Sequence, residues 1–258
     1  MTTRTAVITG AAHGVGQAVA LRLQRESFGR FLLIDRAAGP LSRTAAQLRD
    51  AGAEAETLVA DLSTLDWLDA SLPGALARLG TVDALVNAAG STARGALDDT
   101  TPETFDMLFN VNLRAPFFLM QTVAPLMPSG TTIVNISSML AHGGPPFLLP
   151  YAASKAALVA MTRGVANTLK HRRIRAFAVN LGWTWTPGEQ DVQTRVHGLA
   201  ADWAETVGAR QPFGRLLMPD DPAGLIAFLV SADATMMTGA VIDLDQFVTG
   251  TVDDNPGA

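Results

Sequence analysis

Tyr151 and Lys155 are the two side chains whose types and spacing most directly suggest proton chemistry. Tyr151 is the only tyrosine among 258 residues, and Lys155 is one of two lysines. If this stretch is helical, residues four apart lie on one face, so the phenol and the ammonium group point the same way. A free phenol has a pKa near ~10, and a neighbouring cation lowers it toward the range of a general acid or base. The alternative is an exposed helix that carries both residues incidentally.

A glycine-rich turn, TGAAHGVG at 9–16, follows the first predicted strand and opens the first predicted helix. Gly10 permits a tight turn, Gly14 lets backbone N–H groups approach a pyrophosphate, and Gly16 allows close contact between helix and strand. The positive end of the helix would then favour the phosphates. Because the motif stands between a strand and a helix, it predicts a dinucleotide site.

Asp35 stands at the end of the second predicted strand, 19 residues beyond Gly16. A carboxylate at this place accepts both ribose hydroxyls and repels a 2′-phosphate, so we predict NAD as the cofactor. NADP is the alternative cofactor, because a cation at Arg36 or His13 could bind the 2′-phosphate. A strand-end acid that only starts a turn is the other interpretation of Asp35.

Further polar residues fall where later predicted strands end. Asp61 could reach an adenine edge, or could start a helix before Ser63. The segment 87–90, NAAG, ends the fourth strand at the carboxyl edge, where such sheets bind ligands. Ser138 lies 13 residues before Tyr151, so a short loop would bring its hydroxyl to the same substrate oxygen. Asn112 falls inside an apolar helix pattern, where it is either neutral packing or bends the helix and holds a water.

The elements that must position these residues alternate between short apolar strands and helix-period segments. Predicted strands cover 6–9, 30–35, 56–60, 84–87, 131–136, 175–180 and 240–243, and predicted helices cover 15–27, 41–51, 65–78, 102–127, 151–171 and 220–231. Strands that are apolar throughout are buried on both faces, and βαβ alternation requires parallel pairing. We therefore predict an α/β fold: one doubly wound, Rossmann-like domain with a seven-stranded parallel sheet and helices on both faces.

No repeat or Pro/Gly-rich linker divides the chain. We expect residues 1–245 to form one dinucleotide-binding and catalytic domain and 246–258 to form a C-terminal tail. Within the domain, 182–219 is too long for an ordinary connection and predicts an inserted substrate loop or lid, with a short helix around 199–207.

Composition and charge exclude several classes of function. The chain is 48% hydrophobic and 17% charged, which suits a large core. A net charge of −5 with no basic cluster gives no support for nucleic-acid or anionic-membrane binding. Cysteine is absent, which excludes disulfides and thiol catalysis. With no apolar run long enough to span a bilayer and no sign of a signal peptide, we expect a soluble cytoplasmic protein whose partner is a small molecule.

Taken together, these motifs resemble the short-chain dehydrogenase/reductase family over about residues 4–246. The resemblance rests on T-G-x-x-x-G-x-G, N-A-A-G, an asparagine, a serine and Y-x-x-x-K in this order. It implies that Tyr151 exchanges a proton with the substrate oxygen, while Lys155 binds the nicotinamide ribose and lowers the pKa of the phenol. It implies that Ser138 orients the substrate oxygen and that Asn112 holds a water of a proton relay. It also implies a homotetramer or homodimer.

The same resemblance extends to the cofactor. It implies contacts from Gly10, His13, Gly14, Val15, Gly16, Asp35, Arg36, Asp61, Leu62, Asn87, Ala88, Gly90, Tyr151, Lys155, Gly182, Trp183, Thr184 and Thr186. The glycines would contact the pyrophosphate, Asp35 the adenosine ribose, Asp61 the adenine, and Asn87 the neighbouring ribose region. The hydride would move between C4 of the nicotinamide and a carbinol or carbonyl carbon.

Two positions depart from the family pattern. Leu181-Gly182 stands where the family has Pro-Gly, so the turn beside the nicotinamide could differ. Asp245-Gln246-Phe247 stands where Asp-Gly-Gly is common, in a region close to the substrate pocket and a subunit interface. This change puts the usual tetramer in question and could bring Gln246 toward a neighbouring site.

The substrate would meet the loop after the fifth strand and the lid. We predict contacts from Ser138, Met139, His142, Trp183, Trp185 and Glu189. Apolar ring faces beside polar groups suit a hydroxylated ring, so we predict NAD(P)-dependent interconversion of a secondary alcohol and a ketone on a sugar, polyol or sugar acid. A more apolar ketone, of the hydroxysteroid or 3-oxoacyl type, is the alternative, with the tryptophans only packing the lid.

The same sequence allows two other interpretations, a non-catalytic regulator and a metal site. A non-catalytic regulator that senses the dinucleotide would need the glycine turn but would not use Ser138, Tyr151 and Lys155 together. His142 and the aspartates at 243, 245, 253 and 254 could be metal ligands. Their spacing supports no particular coordination geometry, so we predict no metal.

Overall fold

Seven strands form a single parallel sheet in the structure, a computed structural model that describes residues 3–251. The strands are β1 Arg4–Thr9, β2 Phe28–Asp35, β3 Glu54–Val59, β4 Ala84–Asn87, β5 Thr132–Ser138, β6 Arg175–Leu181 and β7 Val241–Leu244. Their order is β3-β2-β1-β4-β5-β6-β7, with every neighbouring pair parallel. The chain reverses its winding direction between β1 and β4, which opens a crevice at the carboxyl ends of these strands. The predicted fold is confirmed.

Helices cover both faces of the sheet. They are α1 Gly14–Arg25, α2 Ala38–Asp50, α3 Asp66–Ala70, α4 Leu72–Leu79, α5 Pro102–Phe109, α6 Ala115–Val123, α7 Leu149–Leu169, α8 Pro187–Asp191, α9 Trp203–Gly208 and α10 Asp220–Val230. Successive strand residues point to opposite faces, so Val7 and Ile8 belong to different cores. One core lies against α1, α2 and α10, and the other lies against α4, α6 and α7. Burial on both faces explains why the strands are apolar throughout.

Strand register brings the polar strand ends together at the carboxyl edge. Thr9 pairs with Asn87 between β1 and β4, and Asn87 pairs with Asn135 between β4 and β5. Ser138 pairs with Leu181 between β5 and β6. The glycine turn, the NAAG segment and the serine therefore leave the sheet at neighbouring places.

The predicted helix 102–127 is divided in the structure. α5 ends at Phe109, a π-helical turn covers Asn110–Arg114, and α6 then begins at Ala115. Pro116 has no N–H, so it cannot donate to the carbonyl of Asn112 four residues earlier. The Ala115 N–H instead bonds the carbonyl of Asn110, five residues back. The proline therefore explains why the regular helix is interrupted beside Asn112.

Two other segments also differ from their predicted helices. The predicted helix 65–78 is divided at Ser71, because Pro73 in the first turn of α4 cannot continue the hydrogen bonding of α3. The predicted lid contains two short helices, α8 and α9, and a π-helical turn at Val192–Val196, where one helix around 199–207 was expected.

Across residues 3–251, no helix has the length and apolar character needed to cross a membrane. Residues 252–258, which hold Asp253, Asp254 and most of the predicted tail, lie outside the described residues.

Candidate active site

Two adjoining cavities open at the carboxyl edge of the sheet. The first, of about 900 Å³, surrounds the Tyr151 side chain and is called here the Tyr151 cavity. The second, of about 730 Å³, follows the glycine turn and is called the glycine-turn cavity. Seven residues line both cavities, so one elongated ligand could occupy both; they are Val15, Ala88, Gly90, Thr92, Arg94, Thr186 and Glu189.

Tyr151 and Lys155 lie together on one face of α7, buried beside the end of β5. Pro150 stands in the first turn of α7, where its missing N–H costs no helix hydrogen bond. The Lys155 ammonium lies 5.8 Å from the centre of the Tyr151 ring and donates a hydrogen bond of 2.8 Å to the carbonyl of Ile136. The structure therefore brings the predicted proton-transfer pair into one site.

Burial dominates the acid–base state of this pair. Burial raises the pKa of the Tyr151 phenol, while a hydrogen bond with Ser138 acts in the opposite direction. Burial also lowers the pKa of Lys155 to about 8. The sequence led us to expect that the lysine would lower the pKa of the phenol. In the structure the larger influence on the phenol is its loss of water, so the protonated, acidic form is the resting form.

Ser138 ends β5 and faces the phenol. Its hydroxyl accepts a hydrogen bond of 3.1 Å from the Leu140 N–H, which fixes the loop that follows. The preceding Ser137 hydroxyl donates to the carbonyl of Lys155 at 3.1 Å. These contacts attach the end of β5 to the loop and to α7, so the serine and the phenol share one rigid frame.

Asn112 is fully buried in the π-helical turn and ties two segments together. Its side-chain oxygen accepts from the Ser91 N–H at 2.8 Å, and its side-chain amide donates to the Ser91 carbonyl and to the Ser154 hydroxyl, both at 3.0 Å. The Ser154 hydroxyl donates to the carbonyl of Tyr151 at 2.7 Å. The side chain is thus committed to holding Ser91 and Ser154 in position, while Pro116 offers the backbone carbonyl of Asn112 no donor.

The glycine turn packs directly against the NAAG segment. Gly10 has a φ of +66°, and a Cβ there would lie 2.8 Å from the Ala89 nitrogen. A Cβ on Gly16 would collide with the carbonyl of Gly10. The Thr9 hydroxyl accepts from the N–H groups of Ala88 and Ala89, both at 3.1 Å. Close approach therefore requires glycine at both positions, and the threonine holds the neighbouring turn.

Asp35 is held at the rim of the glycine-turn cavity by backbone donors. One carboxylate oxygen accepts from the Ala12 N–H at 3.1 Å and the other from the Ala37 N–H at 3.0 Å. His13 precedes α1, no side chain caps that helix, and its first turn has no acidic residue. A helix end with free N–H groups beside a fixed carboxylate fits the phosphates and ribose of a dinucleotide.

Asp61, Leu62 and Arg36 line the same cavity. The Ser63 N–H donates to the Asp61 carboxylate at 2.9 Å, and this bond is the main reason that the pKa of Asp61 is lowered. Asp61 therefore starts a turn and not a helix, since α3 begins at Asp66, and its place in the cavity leaves the contact with adenine a prediction.

Asn87 does not line either cavity. It is buried below them, where its amide donates to the side-chain oxygen of Asn135 at 2.7 Å. The Asn135 amide continues the chain of bonds to the Thr162 hydroxyl at 2.9 Å. The structure thus places Asn87 as a link between β4 and β5 and not at the predicted ribose contact.

The structure separates the predicted substrate residues into two groups. Ser138, Met139, Trp183 and Glu189 line the Tyr151 cavity, as do the predicted cofactor residues Gly182, Thr184 and Thr186.

His142 and Trp185 lie outside the cavities, contrary to the prediction. His142 turns toward Asp243, with its Nε2 3.1 Å from a carboxylate oxygen. The Trp185 indole donates to the Gln190 side chain at 3.2 Å and packs inside the lid. Trp185 lies between the lining residues Thr184 and Thr186 in the sequence, whereas His142 lies two residues beyond Leu140.

Sequence reasoning missed several lining residues. The Tyr151 cavity also contains Arg94, Phe147, Gln193, His197 and Phe247. They come from four separate segments that meet only in the fold. The position of Arg94, four residues beyond the NAAG segment, was the one available signal.

Gln246 and Leu181 show how the two departures from the family pattern are accommodated. The Gln246 side chain accepts from the Phe213 N–H at 2.8 Å and donates to the carbonyl of Arg215 at 2.7 Å. It therefore fastens the lid and does not begin a loose tail. Leu181 continues β6 by one residue and pairs with Leu244 of β7.

No group of three or more His, Cys, Asp or Glu side chains within 3–251 is arranged to hold a metal ion.

Comparison with known proteins matches the chain to an enzyme family along nearly its whole length. A family model described as enoyl-(acyl carrier protein) reductase matches residues 10–249. The cis-4-hydroxycyclohexanecarboxylate dehydrogenase of Sinomonas cyclohexanicum is 34% identical, covering 94% of this chain and 95% of the relative. The 3-oxoacyl-acyl-carrier-protein reductase FabG of Thermotoga maritima is 31% identical, covering 94% and 96%. A crystal structure of a short-chain dehydrogenase from Burkholderia cenocepacia in complex with NADP is 30% identical, covers 94% and 96%, and has a TM-score of 0.83.

Proposed function

Because the chain belongs to the short-chain dehydrogenase/reductase family, we propose that it interconverts a secondary alcohol and a ketone with a nicotinamide cofactor. The observation that carries this proposal is the joining of two cavities, one built around a buried tyrosine, lysine and serine and the other around a glycine turn. A regulator that only sensed the dinucleotide would not need the first set.

The bound nicotinamide supplies or accepts the hydride. In the direction of reduction, Tyr151 would give its proton to the carbonyl oxygen, which becomes the hydroxyl of the alcohol. Ser138 donates a hydrogen bond to that oxygen while charge develops on it. In the direction of oxidation, the Tyr151 phenolate takes the proton from the hydroxyl. The buried, protonated phenol described above is the form that reduction requires.

Lys155 and Asn112 support this proton transfer. Lys155 sits where it can bind the hydroxyls of the nicotinamide ribose, which would replace its bond to the Ile136 carbonyl or add to it. We assign the backbone carbonyl of Asn112, to which Pro116 cannot donate, to the water that restores the proton. Its side chain, already committed to Ser91 and Ser154, fixes the place of that carbonyl.

NAD is the cofactor that we propose. Both oxygens of the Asp35 carboxylate are held by backbone N–H groups, so the negative charge stays where a 2′-phosphate would lie. Arg36 and His13 line the same cavity and are the groups through which NADP could bind. The Burkholderia cenocepacia relative was crystallised with NADP, so NADP is the second cofactor to be tested.

The substrate that we propose is a cyclic hydroxy compound of the sugar, polyol or sugar-acid type. Trp183 and Phe147 offer ring faces, while Glu189 and Gln193 offer polar groups in the same cavity. The second candidate is a more apolar ketone, of the hydroxysteroid or 3-oxoacyl type. The further apolar lining by Leu140 and its neighbours and the similarity to FabG favour it.

A substrate panel with both cofactors tests the proposal. Sugars, polyols, cyclic hydroxy acids, hydroxysteroids and 3-oxoacyl thioesters are incubated with NAD and NADP or their reduced forms, and the absorbance of reduced nicotinamide is followed. We expect turnover of a cyclic hydroxy compound with NAD. Activity confined to steroids or acyl thioesters would replace the substrate class, and absence of turnover across the panel would contradict the proposed substrates.

We also propose that the protein assembles as a homodimer or homotetramer. Phe105 on α5 and Phe117 on α6 are each 43% exposed, and such apolar surface is commonly covered by another subunit. Sedimentation equilibrium measures the mass in solution, and a monomer would contradict this assignment.

A further inference from the structure

Arg94 places a positive charge in the Tyr151 cavity. The residue is half-buried at the junction of the two cavities, where it lines both, and its charge lowers the pKa of the Tyr151 phenol. Among the described residues it makes no salt bridge with a carboxylate. Within this part of the chain, no protein carboxylate neutralises its charge.

Arg94 is held in place on several sides. Its neighbour Gly95 forms a parallel bridge with Leu148, just before α7. The guanidinium lies 5.6 Å from the centre of the Phe147 ring, and one of its terminal nitrogens donates to the carbonyl of Thr92 at 3.1 Å. The side chain therefore has a fixed direction relative to Tyr151.

His197, from the lid, occupies one edge of the guanidinium. Its Nε2 lies 3.3 Å from Nε of Arg94 and 3.0 Å from Nη2. Arginine can only donate, so this ring nitrogen accepts and the imidazole carries its proton on Nδ1. Three of the five guanidinium N–H donors are thereby used. The two that remain match the two oxygens of a carboxylate.

The other charged groups of the cavity, Glu189, Asp245 and Lys155, each have at least one hydrogen-bond partner. One oxygen of Glu189 accepts from the Trp183 indole at 2.9 Å and from the Gln193 amide at 2.7 Å. Lys155 donates to a backbone carbonyl. Because Lys155 is assigned to the ribose of the cofactor, Arg94 is the cation of this cavity that is left for the substrate.

We propose that Arg94 binds a carboxylate of the substrate, so that the enzyme selects hydroxy acids and oxo acids over neutral alcohols and ketones. The apolar walls take the ring, Arg94 takes the acid group, and Tyr151 faces the carbinol carbon. The assignment of the carbinol rests on the proposed function, whereas binding of the acid group does not.

Binding of an unreactive acid tests this site without any turnover. Cyclohexanecarboxylate and cyclohexanecarboxamide have the same ring and no carbinol, and calorimetry in the presence of NAD measures the affinity of each. We expect the acid to bind about tenfold or more tightly than the amide, because a charge-assisted pair is stronger than a neutral hydrogen bond. Equal affinity for the two compounds would overturn the proposal.

Substitutions then assign the preference to Arg94. Arg94→Gln should abolish it, and Arg94→Lys, which keeps the charge but not the planar fork, should retain part of it. Arg163→Gln removes an exposed arginine of α7 outside both cavities and should leave the preference unchanged. An undiminished preference in Arg94→Gln would contradict the assignment. Should that variant not fold, a full preference in Arg94→Lys would count against the bidentate contact.

The two proposals fail in different ways. Selective binding of the acid without turnover of any hydroxy acid in the panel would support the Arg94 site and count against the proposed reaction. Turnover of neutral alcohols with no preference for the acid would support the reaction and overturn the site.

Discussion

At the scale of single residues, burial explains why the phenol keeps a raised pKa although a lysine lies near it. A cation 5.8 Å away would be worth about 3 kcal/mol to a phenolate at an effective dielectric constant of about 20. The pKa of Lys155 is about 8, so in the absence of cofactor it has lost its proton at the pH where a phenol ionises. An unprotonated Lys155 cannot stabilise the phenolate by its charge. The pKa of the phenol is therefore set mainly by burial.

This reasoning predicts the titration of Tyr151 directly. Because it is the only tyrosine, the near-ultraviolet absorbance of tyrosinate reports one group, with Tyr151→Phe as the blank. We expect the midpoint of tyrosinate formation in the folded, cofactor-free protein to lie above that of a free tyrosine, since burial raises the pKa of the phenol. Bound NAD, with a positive nicotinamide, should move ionisation to lower pH. A midpoint near neutrality without cofactor would show that this account of burial is wrong.

Asp35 carries the second prediction at this scale. Asp35→Ala removes the carboxylate that would hold the ribose hydroxyls, so kcat/KM with NAD should fall roughly tenfold to hundredfold. The ratio of NADP to NAD activity should rise, because the repulsion of a 2′-phosphate is gone and Arg36 remains. Asp50→Asn, at the exposed end of α2, is the matched control. An unchanged cofactor ratio in Asp35→Ala would refute the role.

At the scale of elements, the lid is fastened to the body by the segment that follows β7. Gln246 makes two hydrogen bonds to the lid backbone, and Thr184 and Leu217 form a bridge within the lid. Phe247 and Trp183 line the Tyr151 cavity from these two segments. The position of the lid thus depends on hydrogen bonds of the Gln246 side chain. The usual Asp-Gly-Gly sequence has glycine at this position and could not make them.

We therefore predict that Gln246→Ala loosens the lid. Two lost hydrogen bonds of about 1 kcal/mol each should raise KM for the substrate several-fold, with a smaller change in kcat. Amide exchange around 213–215 should become faster. Val248→Ala, an exposed neighbour, should alter neither quantity. Unchanged KM and exchange in Gln246→Ala would mean that the lid is held by other contacts.

The sequence predicted elements better than the interruptions within them. Alternation of apolar strands with helix-period segments located all seven strands within about two residues. Pro116 and Pro73 were visible, yet the apolar pattern around them continued and was interpreted as one helix each. A missing N–H affects hydrogen bonding without changing hydrophobic periodicity, and that is why the π-helical turn beside Asn112 was not predicted.

At the scale of the whole molecule, the sequence predicted the site residues that belong to one short motif. It did not predict the residues that come into contact only when distant segments fold together. The glycine turn, Ser138 and the tyrosine–lysine pair fall in motifs that a single strand end or helix fixes. Arg94 and His197 lie 103 residues apart and meet only once the lid has packed. Neither spacing nor periodicity carries information about such a contact.

The joining of the two cavities predicts that the cofactor stabilises the entire fold. Binding of NAD at a concentration 100 times its Kd should contribute about 2.7 kcal/mol and raise Tm by roughly 5–10 °C. ADP, which could occupy only the glycine-turn cavity, should give a smaller rise at equal concentration. Scanning calorimetry measures both, and an absence of any shift with NAD would contradict the proposed cofactor site.

The central claim is that Tyr151 supplies the proton, and Tyr151→Phe tests it most directly. The substitution keeps the ring in its buried place and removes only the hydroxyl. Turnover of the substrate found in the panel should fall about a hundredfold to ten-thousandfold, which is the usual contribution of a general acid. Calorimetry should show that NAD still binds with its original affinity. Undiminished turnover in Tyr151→Phe would contradict the mechanism, whichever substrate is used.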